Sequence, residues 1–103
     1  MLINLPKNSK VYIFGSALYS DKPNDLDVLI VYDPGCVHPK DVYNVYDNFL
    51  MSLSKRHNLK TDVTFLTINE NLSDGFVDRV KAMEYEIAIP KLTKPSTEQQ
   101  SCR

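Results

Sequence analysis

Asp25, Asp27 and Asp62, with the Gly15-Ser16 pair that precedes them, are the residues whose types and spacing can do chemistry. In "VYIFGSALYSDKPNDLDVLIVYD", residues 11–33, two strand-forming runs flank a short turn, and the second run opens with Asp25-Leu26-Asp27. Alternation along a strand puts both aspartates on one side. Asp62 opens a third run, "DVTFL", in a comparable position. If the two strands are neighbours, three carboxylates converge at one edge of a sheet. Two unit charges about 4 Å apart repel by roughly 1 kcal/mol in water and roughly 4 kcal/mol at an effective dielectric of about 20. Such a cluster calls for a shared proton, a basic side chain (Lys22 and Lys60 are nearest in sequence) or a divalent cation. A hard cation such as Mg²⁺ is the more economical compensator, because it takes one or two protein carboxylates and completes its shell with water and phosphate oxygens. Gly15-Ser16 offers the complementary half. A glycine at a strand end lets backbone approach a phosphate, and the N–H groups and serine hydroxyl that follow can donate to it.

The elements that must position these residues follow from local patterns. Val11-Tyr12-Ile13-Phe14 is a β-branched and aromatic run ended by Gly15-Ser16, and Asp27 to Tyr32 is a near-continuous apolar run of the kind found in a central strand. "ALYS" at 17–20 suits one helical turn, and Asp33-Pro34-Gly35 is a turn signal. From Pro39 the period changes: Val42, Val45, Tyr46, Phe49, Leu50 and Leu53 follow helical spacing, and the helix is expected to end near Lys55-Arg56. "KTDVTFLT" predicts a third strand with Asp62, Thr64 and Leu66 on one face and Val63 and Phe65 on the other. Thr67 and Glu70 are spaced for a capping box, with Ser73 a competing start. The helix that follows is expected to carry Leu72, Phe76, Val80 and Met83 on one side, and Glu86 to Ile89 to form a short last strand closed by Pro90. Residues 1–92 then make one α+β domain, a small mixed β-sheet with helices packed on one face, and the polar residues 93–103 are expected to be a disordered tail. Tyr12, Tyr43 and Tyr46 read as core, and His38 and His57 as surface or capping residues.

The totals narrow the function classes. The chain has 103 residues, one domain's worth, with 43% hydrophobic and 24% charged residues and a formal net charge of −1. Twelve basic against 13 acidic residues leave no electrostatic footprint for nucleic acid or an anionic membrane. The longest strongly apolar run, Val28 to Tyr32, is far below the roughly 20 residues that span a bilayer. The opening "MLINLPKNSK" lacks the apolar core of a secretory signal, and Cys36 and Cys102 have no metal-ligand spacing, so a cytoplasmic protein with reduced thiols is expected.

"FGS", followed by "DLDVLIVY" and "TDVTFL", resembles the nucleotidyltransferase superfamily built on the DNA polymerase beta-like palm, and more narrowly the minimal nucleotidyltransferases of bacterial toxin–antitoxin pairs. The resemblance covers residues 10–90. It implies that Gly15 and Ser16 hold the nucleotide's terminal phosphates, that Asp25 and Asp27 ligate Mg²⁺, and that Asp62, a third carboxylate at the metal centre, helps activate an acceptor hydroxyl. The implied reaction moves a nucleoside monophosphate, AMP above all, from ATP or another nucleoside triphosphate to that hydroxyl. The implied acceptor lies on a small protein partner, a toxin, which would make this chain its antitoxin; the alternative partner is a second copy of the chain in a homo-oligomer. The sequence departs from the common pattern in three places: Tyr19-Ser20 stands where arginine and glycine are usual, Asn24 where serine is frequent, and the loop between Ser16 and Asp25 is short. The competing reading is a catalytically degenerate domain of the same fold that neutralises a partner by docking alone.

Overall fold

Asp25–Tyr32 forms the centre of the sheet because every residue from Val28 to Tyr32 is apolar or aromatic and none is left in water. The computed structural model describes residues 5–92. Four strands, β1 (Lys10–Phe14), β2 (Asp25–Tyr32), β3 (Lys60–Thr67) and β4 (Met83–Glu84), lie in the order β3-β2-β1-β4. The hairpin neighbours β1 and β2 are antiparallel, β1 and β4 are antiparallel, and β2 and β3 are parallel. The parallel pair needs a crossover, which α1 (Val42–His57) supplies. The remaining helices are α2 (Ile68–Asp74), α3 (Phe76–Arg79) and α4 (Tyr85–Leu92), so the expected α+β class with a small mixed sheet is what the chain forms.

Alternation divides β2 cleanly. Leu26, Val28, Ile30 and Tyr32 join the main core with Ile13 of β1, Tyr46, Phe49, Leu50 and Leu53 of α1, and Tyr85 and Ala88 of α4. Burying an apolar side chain of this size stabilises by roughly 1.5–3 kcal/mol, so this face dictates the register. The fully buried Tyr46 has its phenol satisfied by Ser9 Oγ at 2.6 Å. The opposite face carries Asp25, Asp27, Leu29 and Val31. It is also covered in part, since Leu29 and Val31 are buried and Phe76 of α3 meets Phe14 edge to face at 5.3 Å.

The long helix ends at His57, where Asn58 in the left-handed region turns the chain and its N–H bonds Ser54 O. At α2 the capping box forms as expected: Thr67 Oγ1 accepts from the Glu70 N–H and Glu70 Oε1 accepts from the Thr67 N–H, so Thr67, not Ser73, starts the helix.

Several expectations are corrected. The single helix expected to carry Leu72, Phe76, Val80 and Met83 is broken at Gly75, whose positive φ of 66° ends α2 and redirects α3. Leu72 is consequently 75% exposed and Met83 belongs to β4. Glu86 to Ile89 are helical, not extended. Tyr85 and Ala88 are buried three residues apart, with Ile89 and Leu92 packed beside them, and that helical stripe outweighs the β-branched residues. Tyr43 is mostly exposed at the margin of the core, resting edgewise on Phe65 at 4.9 Å. His38 is a capping residue as expected, but His57 is half-buried and bonded to Tyr85 Oη at 2.9 Å. No helix of the described residues is long and apolar enough to cross a membrane. The expected tail, 93–103, lies outside the described residues.

Candidate functional site

The site residues collect where β1 ends and β2 and β3 begin. The parallel ladder sets Asp27 opposite Asp62 and Asp25 opposite Lys60, while the antiparallel ladder sets Phe14 opposite Asp27. Ladder partners share a face, so all three aspartates lie on the face away from the main core. The strands β2 and β3 are therefore neighbours, with Asp27 level with Asp62.

Gly15 comes next in the chain after Phe14 and carries a positive φ of 79°, a conformation glycine adopts without strain. A Cβ added there would stand 3.2 Å from Asp27 Cγ and inside contact distance of Asp27 Oδ2. The absence of a side chain at Gly15 is what lets the Asp27 carboxylate lie against the backbone. From Gly15 the chain makes a 3-10 turn to Leu18, closed by the Tyr19 N–H and Ser20 N–H on Ser16 O at 3.0 and 2.8 Å. Ala17 and Leu18 are buried in the core and anchor this turn, which leaves Ser16 exposed beside the carboxylates. Tyr19 is an exposed loop tyrosine, 68% accessible.

Burial first, then the negative charges of Asp62 and Asp25, hold the Asp27 carboxyl above the usual aspartate range. Among the described residues none of the three aspartates has an ion-pair partner; the pair that forms joins Arg79 and Asp74. Neither Lys22 nor Lys60 closes on a carboxylate, although Lys60 is in register with Asp25. The charge on this face is thus left uncompensated by the chain itself. Oxygen-only ligands with no basic partner suit a hard divalent cation. Among the described residues no group of three or more His, Cys, Asp or Glu side chains is arranged to hold a metal ion. An open site uses one or two carboxylates, completed by water and substrate oxygens.

All five residues singled out from the sequence therefore fall at one end of one sheet. Sequence reasoning missed Phe76 as a neighbour of Phe14, and Arg79 as the cation over the Phe76 ring. Phe76 lies against Phe14, and the Arg79 guanidinium sits 5.5 Å from the Phe76 ring centre. Gly75, which redirects the chain to bring them there, was the available signal.

Comparisons with models of protein families, with curated proteins and with solved structures give no match to this chain.

Proposed function

We propose that this chain is a Mg²⁺-dependent nucleotidyltransferase that moves AMP from ATP to a hydroxyl on a partner protein, as an antitoxin modifying its toxin. The observation that carries the reading is the contact of the Asp27 carboxylate with Gly15 on one side and its register with Asp62 on the other. A phosphate-approach loop and an uncompensated carboxylate set adjoin each other there. The resemblance of "FGS", "DLDVLIVY" and "TDVTFL" to minimal nucleotidyltransferases points the same way.

Asp25 and Asp27, with Asp62 beside them, are the residues that would hold Mg²⁺, which when bound neutralises phosphate charge and favours attack at phosphorus. Gly15 and Ser16 would orient the terminal phosphates with backbone N–H groups and the exposed hydroxyl. Asp62 lies on an edge strand and is exposed, so an acceptor has open access to it. In the transfer the acceptor oxygen bonds to the α-phosphorus, the bond from that phosphorus to the bridging oxygen breaks, and pyrophosphate leaves. Asp62 receives the hydroxyl proton.

Calorimetric titration of ATP with and without Mg²⁺, into the wild-type protein and Asp25→Ala/Asp27→Ala, tests the site. Mg²⁺-dependent binding lost in the double variant is expected, followed by transfer of label from α-³²P-ATP to the partner. Partner neutralisation that persists without Mg²⁺, ATP or either aspartate would replace this reading with docking alone.

A further inference from the structure

We infer that Arg79 is the cation that engages the polyphosphate of the bound nucleotide, held in waiting by Asp74; the inference rests on the nucleotide reading above. A nucleoside triphosphate adds several negative charges to a face that already carries three aspartates. The turn that would cradle it, "GSALYS" at residues 15–20, contains no lysine or arginine. A side-chain cation that supplements Mg²⁺ has to come from elsewhere in the fold.

Four basic residues are candidates. Lys60 is in register with Asp25 on β3, which puts the aspartates of β2 between it and the Gly15-Ser16 turn at the end of β1. Lys22 is exposed in the loop beyond Ser20. Lys81, exposed in the turn that enters β4, and Arg79 both lie on the β1 side, and Arg79 is the one of the two held there by packing on a ring. Phe14, whose register partner is Asp27 and whose successor is Gly15, meets Phe76 at 5.3 Å, and Arg79 lies 5.5 Å from the centre of that same ring. One aromatic ring thus separates the guanidinium from the residue that leads into the phosphate turn.

The hydrogen bonding of Arg79 leaves it available. Its Nη1 donates to Asp74 O at 2.8 Å and its Nη2 to Asp74 Oδ2 at 2.9 Å, which occupies two of the five N–H groups of a guanidinium. Both side chains are largely exposed, 57% for Arg79 and 48% for Asp74. An exposed pair of this kind contributes little in water, whereas a planar guanidinium bonds a phosphate through two parallel N–H groups. Exchange of Asp74 for a phosphate is therefore favourable, and the ring of Phe76 keeps the side chain oriented while it happens.

The clasp provides its own control. Arg79→Gln and Asp74→Asn both break the ion pair, so both share any structural consequence, but only Asp74→Asn leaves the cation and frees it. Titration of ATP and of AMP with Mg²⁺ into the wild type, Arg79→Gln, Arg79→Lys and Asp74→Asn, with thermal melts of each, reads the difference. Arg79→Gln is expected to weaken ATP roughly tenfold, the loss of about one charge-assisted bond, and to leave AMP unchanged. Arg79→Lys recovers part of the loss, and Asp74→Asn binds ATP more tightly than the wild type. ATP affinity unchanged in Arg79→Gln, equal losses for ATP and AMP, or weakening in Asp74→Asn overturns the assignment alone. A wild-type protein that binds no ATP overturns the nucleotide reading and the Arg79 assignment with it.

Discussion

Asp27 and Asp62 are register partners across the parallel β2–β3 pair, two carboxylates side by side on one face with no basic side chain paired to either. Asp27 is the more constrained of the two, because its other flank lies against the backbone of Gly15. The fold accepts this repulsion where an asparagine would fit with less cost, as expected of a site shaped for something positive.

Asp27→Asn is therefore expected to stabilise the unliganded protein at neutral pH and, on the proposed function, to abolish Mg²⁺-dependent ATP binding. The folded-state pKa of Asp27 is raised, so the fold disfavours its charged form. The penalty is full above that raised pKa and fades as pH falls through it toward the unfolded value of 3.8. Solvent screening of this partly exposed group keeps the gain at pH 7 small. Thermal melts at pH 7 should place the variant a few degrees above the wild type, and the gap should shrink toward pH 4. A variant that melts lower at pH 7 would show that the carboxylate is compensated in the folded protein.

Gly15→Ala should cost about 2–4 kcal/mol, by forcing a side chain into a positive φ and onto Asp27. Combining it with Asp27→Ala should recover the collision but not the backbone strain, so the two changes will be non-additive. Denaturant melts of the four proteins in the cycle measure this coupling. Strict additivity would mean that Gly15 and Asp27 do not meet.

His57 ties the end of α1 to α4 through Tyr85 Oη. Burial first, and then the charge of Arg56, hold the His57 pKa below its ordinary 6.5. The unfolded chain thus takes up a proton before the folded one does, and stability present above pH 6.5 is lost as pH falls through the lowered pKa. His57→Phe should remove this component from urea melts compared at pH 7.5 and 5.5. Tyr85→Phe should retain it and lose about 0.5–1.5 kcal/mol at both pH values.

Thr67→Ala removes the acceptor for the Glu70 N–H at 3.1 Å and should destabilise by about 1 kcal/mol. For a domain of this size that is a fall of roughly 4–8 °C in Tm. Thr67→Ser should melt close to the wild type, and an alanine variant that does so as well would mean that α2 needs no cap.

Much of the architecture was legible because it is local. The strand limits of Lys60–Thr67, the pairing of Thr67 with Glu70 and the shared side of Asp25 and Asp27 all follow from residues within a few positions of one another. The errors came where local signals compete. Glu86 to Ile89 has enough β-branched character to suggest a strand, and only the fit of Tyr85 and Ala88 into the core made it helical. Leu72 and Phe76 share a helical spacing that Gly75 interrupts.

The sequence by itself determined which strand face Asp25 and Asp27 share, since alternation is a property of the extended backbone. Tertiary structure alone decided that β3 lies parallel to β2 with Asp62, not a neighbouring residue, opposite Asp27. It alone placed Gly15 against that carboxylate and carried Phe76 and Arg79 to the end of β1. Register between distant strands is chosen by the burial of whole faces, here Val28 and Ile30 of β2 with Val63 and Phe65 of β3 against α1. That choice depends on the sum of contacts between segments far apart in the chain.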